Sequence, residues 1–363
     1  MPSLAALPAA APLIAGYHGP PELTLARAFT SWTLDLPVLV VALLAAGCYL
    51  AAVRRLRLAG QPWPVSRFFA AGLGLGLLVI ATMSWLGVYQ DILFWARAVQ
   101  TILLLLLVPL FLALGRPLTL AVAALPAPLG RRTEAAIRSR AARILTFPLI
   151  TAVALIATPF LLYFTGWYAA AFHSDLVREV TYLALIAPGF LFFWTLLRVD
   201  PVPKEYPYLA SLWITGAEVV FDAFLGIAVI ADQHLIAGPY YHALARPWGP
   251  NLRTDQVLGG GALWILGDLV GLPFLAAMLI QMIREDEAEA AVIDAELDAR
   301  DAALTGAEPG ASATAAPPGQ ADDQTGEPAA GPPDGGAGDR PWWESDPRFA
   351  GRFRASRPSR PDP

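Results

Sequence analysis

Seven long apolar runs constrain this chain more than any other feature of its sequence. A bilayer core about 30 Å thick needs roughly 20 apolar residues per helix. Runs of this length are predicted at 34–53, 66–87, 92–113, 144–165, 177–197, 209–230 and 257–283. Helices satisfy their own backbone polar groups, which hydrocarbon requires. The sequence therefore predicts an all-α polytopic membrane protein, a bundle of seven transmembrane helices.

The composition excludes most soluble functions. Of 363 residues, 56% are hydrophobic and only 15% are charged, against roughly a quarter charged in a typical soluble domain. Residues 284–363 contain 17 acids and 8 bases, whereas the rest of the chain contains 13 acids and 17 bases. These bases are too dispersed for a nucleic-acid surface. The single cysteine, Cys48, excludes a disulfide within the chain, a zinc–thiolate site and a CxxC redox motif.

The distribution of arginine and lysine among the loops predicts the orientation in the membrane. The first, third and fifth loops contain four, six and two such bases, the second and fourth contain none, and the sixth contains two. Because base-rich loops stay in the cytoplasm, we expect the N-terminus outside and the C-terminus inside. Abundant alanine, proline and glycine with a single lysine are typical of a GC-rich bacterial gene. The expected location is therefore a bacterial plasma membrane.

Composition divides the chain into five parts. We predict an extracytoplasmic N-terminal segment at 1–31, the membrane domain at 32–283, a candidate helical extension at 284–304, a disordered linker at 305–340 and a tail motif at 341–363. The linker is rich in Gly, Pro, Ala and Asp and lacks the apolar residues that a folded core needs.

The tail motif contains aromatic residues beside arginines, with Trp342, Trp343 and Phe349 as the candidate anchors. Aromatic side chains contribute strongly to binding at protein interfaces. The motif therefore favours a short docking peptide, and an anchor on the membrane surface is the alternative.

Seven polar residues predicted within the membrane or at its outer edge are candidate functional residues, because burying such groups in hydrocarbon is costly. They are Arg97, Arg178, Glu218, Asp222, Asp255, Gln256 and Asp268. Glu218 and Asp222 are four residues apart and so share a helix face. That pair is consistent with a hydrogen-bond network between helices or with a proton or cation path.

Arg97 has a predicted ionic partner on another helix. It lies about five residues below the outer start of the third predicted span, and Asp222 lies about eight below the outer end of the sixth. At ~1.5 Å per residue, the two depths differ by about 5 Å. We therefore predict an Arg97–Asp222 ion pair. The alternative is that Arg97 extends outward and Asp222 bonds a backbone or hydroxyl group.

Several pieces of sequence occur in a consistent order. They are Trp32 with Asp35, TILLLLLVPLFLALGRPLTL at 101–120, GFLFFWTLL at 189–197, TDQVLGGGALWILGD at 254–268 and PWWESDPR in the tail. In this order on seven helices, they resemble the cytochrome c oxidase assembly proteins of the CtaG type. The likeness of the helical pieces covers about 30–283, and PWWESDPR resembles the C-terminal end of high-GC bacterial members. The resemblance implies a membrane protein that assists oxidase assembly without catalysis, with oxidase subunits or other assembly factors as partners.

The resemblance also implies copper, because the family has two His-x3-His pairs at the start of its third and fifth helices. The matching runs here are Arg97–Thr101 and Arg178–Tyr182, so both pairs are absent. Arginine stays protonated and cannot bind a metal. The chain therefore resembles a member that has lost its metal site.

Two functions stay open at this point. The first is a scaffold for oxidase assembly, with no cofactor or with copper held weakly by His173, His234 and His242. The alternative is an ion or proton channel or transporter that uses Glu218, Asp222 and Asp268.

Overall fold

The computed structural model describes residues 16–198, 200–202 and 208–306. The tail motif, with Trp342, Trp343 and Phe349, and residues 307–340 of the predicted linker lie outside these ranges. Every regular element of the described residues is a helix, and none is a strand. The helices are α1 Leu25–Thr30, α2 Leu36–Leu58, α3 Val65–Met83, α4 Trp85–Tyr89, α5 Phe94–Ile102, a π-helix Leu103–Leu107, α6 Val108–Leu114, α7 Pro117–Ala124, α8 Ala127–Ile137, α9 Arg140–Leu145, α10 Pro148–Phe164, α11 Trp167–His173, α12 Asp175–Leu197, α13 Tyr208–Ala231, α14 Gly238–Leu244 and α15 Leu252–Gly306.

Six helical stretches of the described residues are long and apolar enough to cross a membrane. A seventh is obtained if α10 and α11, which are bent by 68° at a short break, count as one broken span. In chain order, these spans are Leu36–Leu58, Val65–Tyr89, Phe94–Ala124, the broken α10–α11 pair, Asp175–Leu197, Leu209–Ala231 and Leu252–Asp301. The prediction of an all-α membrane bundle is confirmed, with six spans or, counting the broken pair, seven.

The third span is the most buried of the six continuous stretches and contains the π-helix Leu103–Leu107. Leu104, Leu105 and Leu106 of this segment are at most 1% exposed. Pro109 has no N–H to donate to the Leu105 carbonyl. Gly189 of α12 packs against that carbonyl, at a position where a Cβ atom would overlap the oxygen. Glycine therefore allows the third and fifth spans to approach closely.

The fourth span breaks at Thr165, whose backbone is extended, with φ −122° and ψ 179°. The Trp167 backbone N–H then donates to Thr165 Oγ1 at 3.2 Å and starts α11. Trp167 Nε1 donates to Thr181 Oγ1 of α12 at 2.8 Å, which holds α11 against the fifth span. As a result, Tyr168 and Phe172 lie against Arg97 at the start of the third span.

The last helix, α15, is longer than a membrane crossing requires. Its 55 residues correspond to about 80 Å of helix. Residues 284–301 are exposed, and the helix includes the whole 284–304 segment. The chain divides into two compact units, Met1–Asp298 and Ala299–Pro363. The first unit contains the helices through α14 and most of α15, and residues 299–306 of the second are helical.

Candidate functional site

Arg97 lies in the first turn of α5, and its side chain is only 3% exposed. Its Nη1 atom donates to Asp91 Oδ1 at 3.1 Å, across the short loop before α5. The guanidinium carbon lies 4.9 Å from the ring centre of Tyr168 and 4.7 Å from that of Phe172. One carboxylate and two aromatic faces thus surround this buried cation.

The predicted Arg97–Asp222 ion pair is wrong. Arg97 bonds Asp91, and the Asp222 carboxyl lies against Gly267 of α15. The predicted pair rested only on the depths of Arg97 and Asp222 along their helices. The loop before α5 contains the carboxylate that Arg97 bonds, that of Asp91. This loop turns tightly, because the backbone N–H of Leu93 donates to the Tyr89 carbonyl at 2.8 Å. The turn brings a local carboxylate to Arg97 without a partner from another span.

Asp91 lies outside the spans, at the edge of the bundle. Burial raises the pKa of its carboxyl, and the nearby charges of Arg97 and Arg178 lower it in part. The net direction is upward. Two arginines, each from the start of a different span, therefore act on one loop carboxyl.

Tyrosine hydroxyls line the inner side of the Arg97 site. The hydroxyls of Tyr168 and Tyr241 are 2.8 Å apart, and the Tyr163 hydroxyl lies 3.0 Å from Thr101 Oγ1. Thr101 Oγ1 itself donates to the Arg97 carbonyl at 2.9 Å. These bonds join the third span, both halves of the fourth, and α14. The side chains of this site therefore hold several helix ends together.

The two runs that match the histidine pairs of the resembled family meet at this site. Arg97 and Thr101 represent the first pair, and Arg178 and Tyr182 represent the second. The charges of both arginines act on the Tyr182 hydroxyl, which donates to Gln90 Oε1 at 2.9 Å. Arg97, Thr101, Arg178 and Tyr182 thus lie around one site, to which they contribute guanidinium and hydroxyl groups.

Arg178 lies at the more exposed edge of the site, with 25% of its side chain exposed. Its Nη1 atom donates to Asp175 Oδ1 at 2.8 Å, and its Nη2 atom lies 3.8 Å from Glu179 Oε1. Exposed ion pairs of this kind contribute little to stability. Arg97, rather than Arg178, is therefore the buried cation of the site.

The three histidines predicted as copper ligands are all exposed. His173 Nδ1 lies 2.8 Å from the Ala169 carbonyl, and His234 is 98% exposed with Nδ1 3.4 Å from Asp232 Oδ1. Among the described residues, no group of three or more His, Cys, Asp or Glu side chains could hold a metal ion. The three exposed histidines therefore do not form a shared metal site within the described part of the chain.

Asp255 joins the start of α15 to the start of the third span. Its Oδ1 atom accepts from the Trp95 backbone N–H at 3.1 Å, so it caps α5 from another helix. Its Oδ2 atom accepts from Arg246 Nη2 at 3.1 Å, and both side chains are at most 3% exposed. Arg246 Nη2 also donates to the Pro250 carbonyl at 2.8 Å. This buried ion pair fixes the loop between α14 and α15.

Gln256 organises the other half of that loop. Its Oε1 atom accepts from the Ile236 backbone N–H at 2.9 Å. Its Nε2 atom lies within 3.2 Å of the carbonyls of Val229, Asp232 and His234. Both residues of the Asp-Gln pair thus bond backbone or loop groups and hold the connection from α13 to α15.

The carboxyls of Glu218 and Asp222 are buried between α13 and α15, at 3% and 5% exposure. They lie one helical turn apart on α13. Each also faces a glycine of α15. A Cβ atom at Gly267 would lie 2.6 Å from Asp222 Oδ2, and one at Gly271 would lie 3.3 Å from Glu218 Oε2.

Asp268 is the third acid of this region. Its Oδ2 atom accepts from Trp264 Nε1 at 2.8 Å, and its Oδ1 atom is buried without a hydrogen-bond partner. Asp222 Oδ2 is buried and without a partner as well. Glu218 and Asp222 both lie against glycines of α15, so they share one face of α13, as the sequence predicted.

Sequence reasoning missed the aromatic part of the Arg97 site. Tyr168, Phe172 and Tyr241 reach Arg97 or one another only because α11 turns away from α10. The Thr165–Gly166 step was the available signal, since glycine often marks the end of a helix. Because Thr165 and Gly166 lie at the end of an apolar run, they indicate only the edge of a span.

Comparison with known protein families identifies the family of this chain. The model of the cytochrome c oxidase caa3 assembly factor family (Caa3_CtaG) matches residues 47–285, from within the first span into the last helix. The chain belongs to this family. The resemblance to this family is confirmed, and this caa3 assembly factor family member is a multi-pass membrane protein of bacterial type.

Curated relatives of this family member are mycobacterial. Uncharacterized proteins of Mycobacterium bovis and Mycobacterium tuberculosis are each 29% identical to it over 290 residues, which is 78% of this chain and 44% of theirs. One of Mycobacterium leprae is 28% identical over 291 residues, with the same coverage. The chain thus spans less than half the length of these relatives. No solved structure matches it.

Proposed function

We propose that the chain assists the assembly of cytochrome c oxidase as a membrane scaffold without catalytic activity. The observation that carries this proposal is the family match, which extends over 47–285 and so includes the Arg97 site and the Asp255 ion pair. The family is described as assembling the caa3 type of oxidase. Oxidase subunits or other assembly factors are the proposed partners, and nucleic acid is not.

The geometry of the Arg97 site supports a structural role. Arg97, Thr101 and Tyr182 each use their polar atoms to bond other parts of the bundle, namely Asp91, Tyr163 and Gln90. A reaction site instead needs a nucleophile or base that is directed at a substrate. Side chains that fix several helix ends relative to one another suit a protein that presents a defined surface to its partners.

In this proposal, the chain binds copper at most weakly. The family resemblance implies copper, but Arg97 and Arg178 cannot ligate and Thr101 and Tyr182 supply only hydroxyls. We propose that His173, His234 and His242 give at most a weak surface contact with copper, because each is exposed. The scaffold function is then independent of a metal held by this chain.

The packing between α13 and α15 does not favour an ion path along Glu218, Asp222 and Asp268. Gly267 and Gly271 bring the backbone of α15 against the first two carboxyls. A conducting path needs room for water or an ion beside these groups. A polar contact between tightly packed helices fits this geometry better.

The tail motif is proposed as a docking peptide on the cytoplasmic side. The proposal rests on the sequence of Trp342, Trp343 and Phe349 and on the orientation with the N-terminus outside. Deletion of 341–363 should leave the bundle in the membrane but reduce recovery of partners. Equal recovery of oxidase subunits with the truncated and full-length chains would contradict this role.

A deletion strain tests the main proposal. We expect lower oxidase activity and lower levels of oxidase subunits, restored by the full-length chain expressed from a plasmid. Added copper should not replace the missing chain, because the proposed role is a scaffold. The copper content of the purified protein, measured by mass spectrometry, should be well below one ion per chain.

Two outcomes would contradict the proposal. Unchanged oxidase activity and subunit levels in the deletion strain would remove the assembly role. Full rescue by copper alone, together with about one copper ion per purified chain, would replace the scaffold by copper delivery. Membrane-protein abundance in the same strains controls for a general effect on the membrane.

A further inference from the structure

The hairpin between the first two spans is strongly basic. Arg54, Arg55 and Arg57 lie at the end of α2, and Arg67 lies in the first turn of α3. The sequence has no acidic residue from 36 to 90. In the described part of the chain, the exposed guanidinium groups of Arg54 and Arg57 have no carboxylate partner. Unpaired charge is therefore concentrated at one end of these two spans.

Two adjoining pockets lie at this basic end. The first has a volume of about 370 Å³ and is lined by Leu50, Val53, Arg54, Arg57, Leu58 and Phe68. The second has about 550 Å³ and is lined by Arg57, Gly60, Gln61, Pro62 and Trp63. Because both contain Arg57, they form one surface, which we call the hairpin pocket. It is basic where the hairpin turns and apolar along the two spans.

The wall of the hairpin pocket is fixed to the bundle. Trp63 is only 7% exposed, and its Nε1 atom donates to the Tyr49 hydroxyl at 3.1 Å. The Tyr49 hydroxyl lies 2.8 Å from the Gly115 carbonyl of the third span. The guanidinium carbon of Arg67 lies 4.9 Å from the centre of the Trp63 ring. The pocket therefore has a preformed shape and does not depend on a loose loop.

Asp200, whose charge acts on Tyr49 and Arg116 near this end, is already bonded. Asp200 is 4% exposed, and its Oδ1 atom accepts from the Thr119 backbone N–H at 2.9 Å and from the Thr119 hydroxyl. Its Oδ2 atom accepts from the Leu118 backbone N–H at 3.3 Å. Asp200 thus caps α7 and does not line the hairpin pocket.

We propose that the hairpin pocket binds the phosphate headgroup of an anionic phospholipid. Arg54 and Arg57 lie three residues apart on one face of α2, and guanidinium groups bind phosphate oxygens with paired hydrogen bonds. The first span ends at Leu58 and the second begins at Val65, so the arginines lie at the depth of lipid headgroups. Leu50, Val53 and Phe68 form an apolar wall for an acyl chain.

Lipid titration of the purified full-length protein in neutral detergent tests this proposal. Phosphatidylglycerol, phosphatidylcholine and inorganic phosphate are added separately, and affinity is measured from the shift in melting temperature. We expect a shift with phosphatidylglycerol and little or none with the other two. The Arg54→Gln/Arg57→Gln variant should bind phosphatidylglycerol more weakly by about fivefold for each arginine removed.

A matched variant controls for net charge. Arg131→Gln/Arg132→Gln removes two exposed arginines of α8 that do not line the pocket, and its affinity should equal that of the unmodified protein. The proposal is overturned if both double variants lose affinity equally, or if neither does. Equal shifts with phosphatidylcholine or with inorganic phosphate would also overturn it.

Single variants keep the test decisive if the double variant does not fold. Native mass spectrometry then counts the phosphatidylglycerol molecules retained by Arg54→Gln and by Arg57→Gln. Lower retention in both supports the proposal, whereas retention equal to that of the unmodified protein in both overturns it.

Discussion

Arg97 Nη1 lies 3.1 Å from Asp91 Oδ1, and the arginine side chain is 3% exposed. The pair joins the first turn of the third span to the loop before it, beneath aromatic rings from the bent fourth span. The guanidinium group of a buried arginine stays protonated, so its positive charge remains in the folded protein. It therefore needs its local carboxylate, and this dependence can be measured.

A double-mutant cycle on Arg97 and Asp91 should show strong coupling. Arg97→Ala and Asp91→Ala each break a partly buried pair, and we expect a coupling energy of roughly 1–3 kcal/mol between them. The measurement is thermal or chemical unfolding of the purified protein in detergent. The cycle of Arg97→Ala with Asp222→Ala is the control and should be additive. Additive losses in the Arg97–Asp91 cycle would contradict the pairing.

The raised pKa of Asp91 predicts a pH dependence of stability. Burial raises this pKa in the folded protein, so the folded state binds the proton more tightly than the unfolded state. Stability contributed by this group should then fall as pH rises from the ordinary carboxyl pKa through the raised one. Asp91→Asn cannot titrate, so its stability relative to the unmodified protein should rise with pH in that window.

Unfolding experiments at a series of pH values check this prediction. Glu134→Gln is a suitable control, because Glu134 is an exposed carboxyl in an i,i+4 pair with Arg138. Its stability relative to the unmodified protein should change little over the same pH range. A constant stability difference between Asp91→Asn and the unmodified protein would count against the raised pKa.

The sequence predicted the spans well and the site only in part. Apolar runs reveal spans because each crossing needs a fixed length of apolar helix, and the second predicted run, 66–87, closely matches Val65–Tyr89. The third span extends to Ala124, well beyond the predicted 113, because α7 restarts at Pro117 after the left-handed residue Arg116. Hydropathy carries no information about such a change of backbone conformation.

The partners of Arg97 show the other limit of the sequence. Helix periodicity gave the shared face of Glu218 and Asp222. It could not give the 68° bend that brings Tyr168 to Arg97. Asp91, the carboxylate that bonds Arg97, lies in a loop, and helix periodicity does not predict where loop residues lie. Contacts that depend on bends and loops follow from tertiary packing, so only the structure shows them.

A methyl group at Gly267 should destabilise the contact between α13 and α15. The added Cβ atom would lie 2.6 Å from Asp222 Oδ2, which is closer than carbon and oxygen can approach without movement. We expect Gly267→Ala to lower the free energy of unfolding by about 1–3 kcal/mol. Gly261→Ala in the same helix is the matched control, since a Cβ atom there meets nothing within 4 Å. Equal stability of the two variants would contradict the close packing at Gly267.

Loss of the Arg246–Asp255 ion pair should have the largest effect of the ion pairs described. Both side chains are at most 3% exposed, and Asp255 also caps the third span through the Trp95 N–H. Asp255→Ala leaves Arg246 as an uncompensated buried charge, so we expect a loss of about 3–5 kcal/mol in stability. The exposed Arg178–Asp175 pair provides the control, and Asp175→Ala should cost less than about 1 kcal/mol. Unfolding of both variants in detergent measures the two losses of stability. Oxidase levels in complemented deletion strains show whether assembly depends on the loop between α14 and α15. Similar losses for the two variants would mean that burial does not distinguish these pairs.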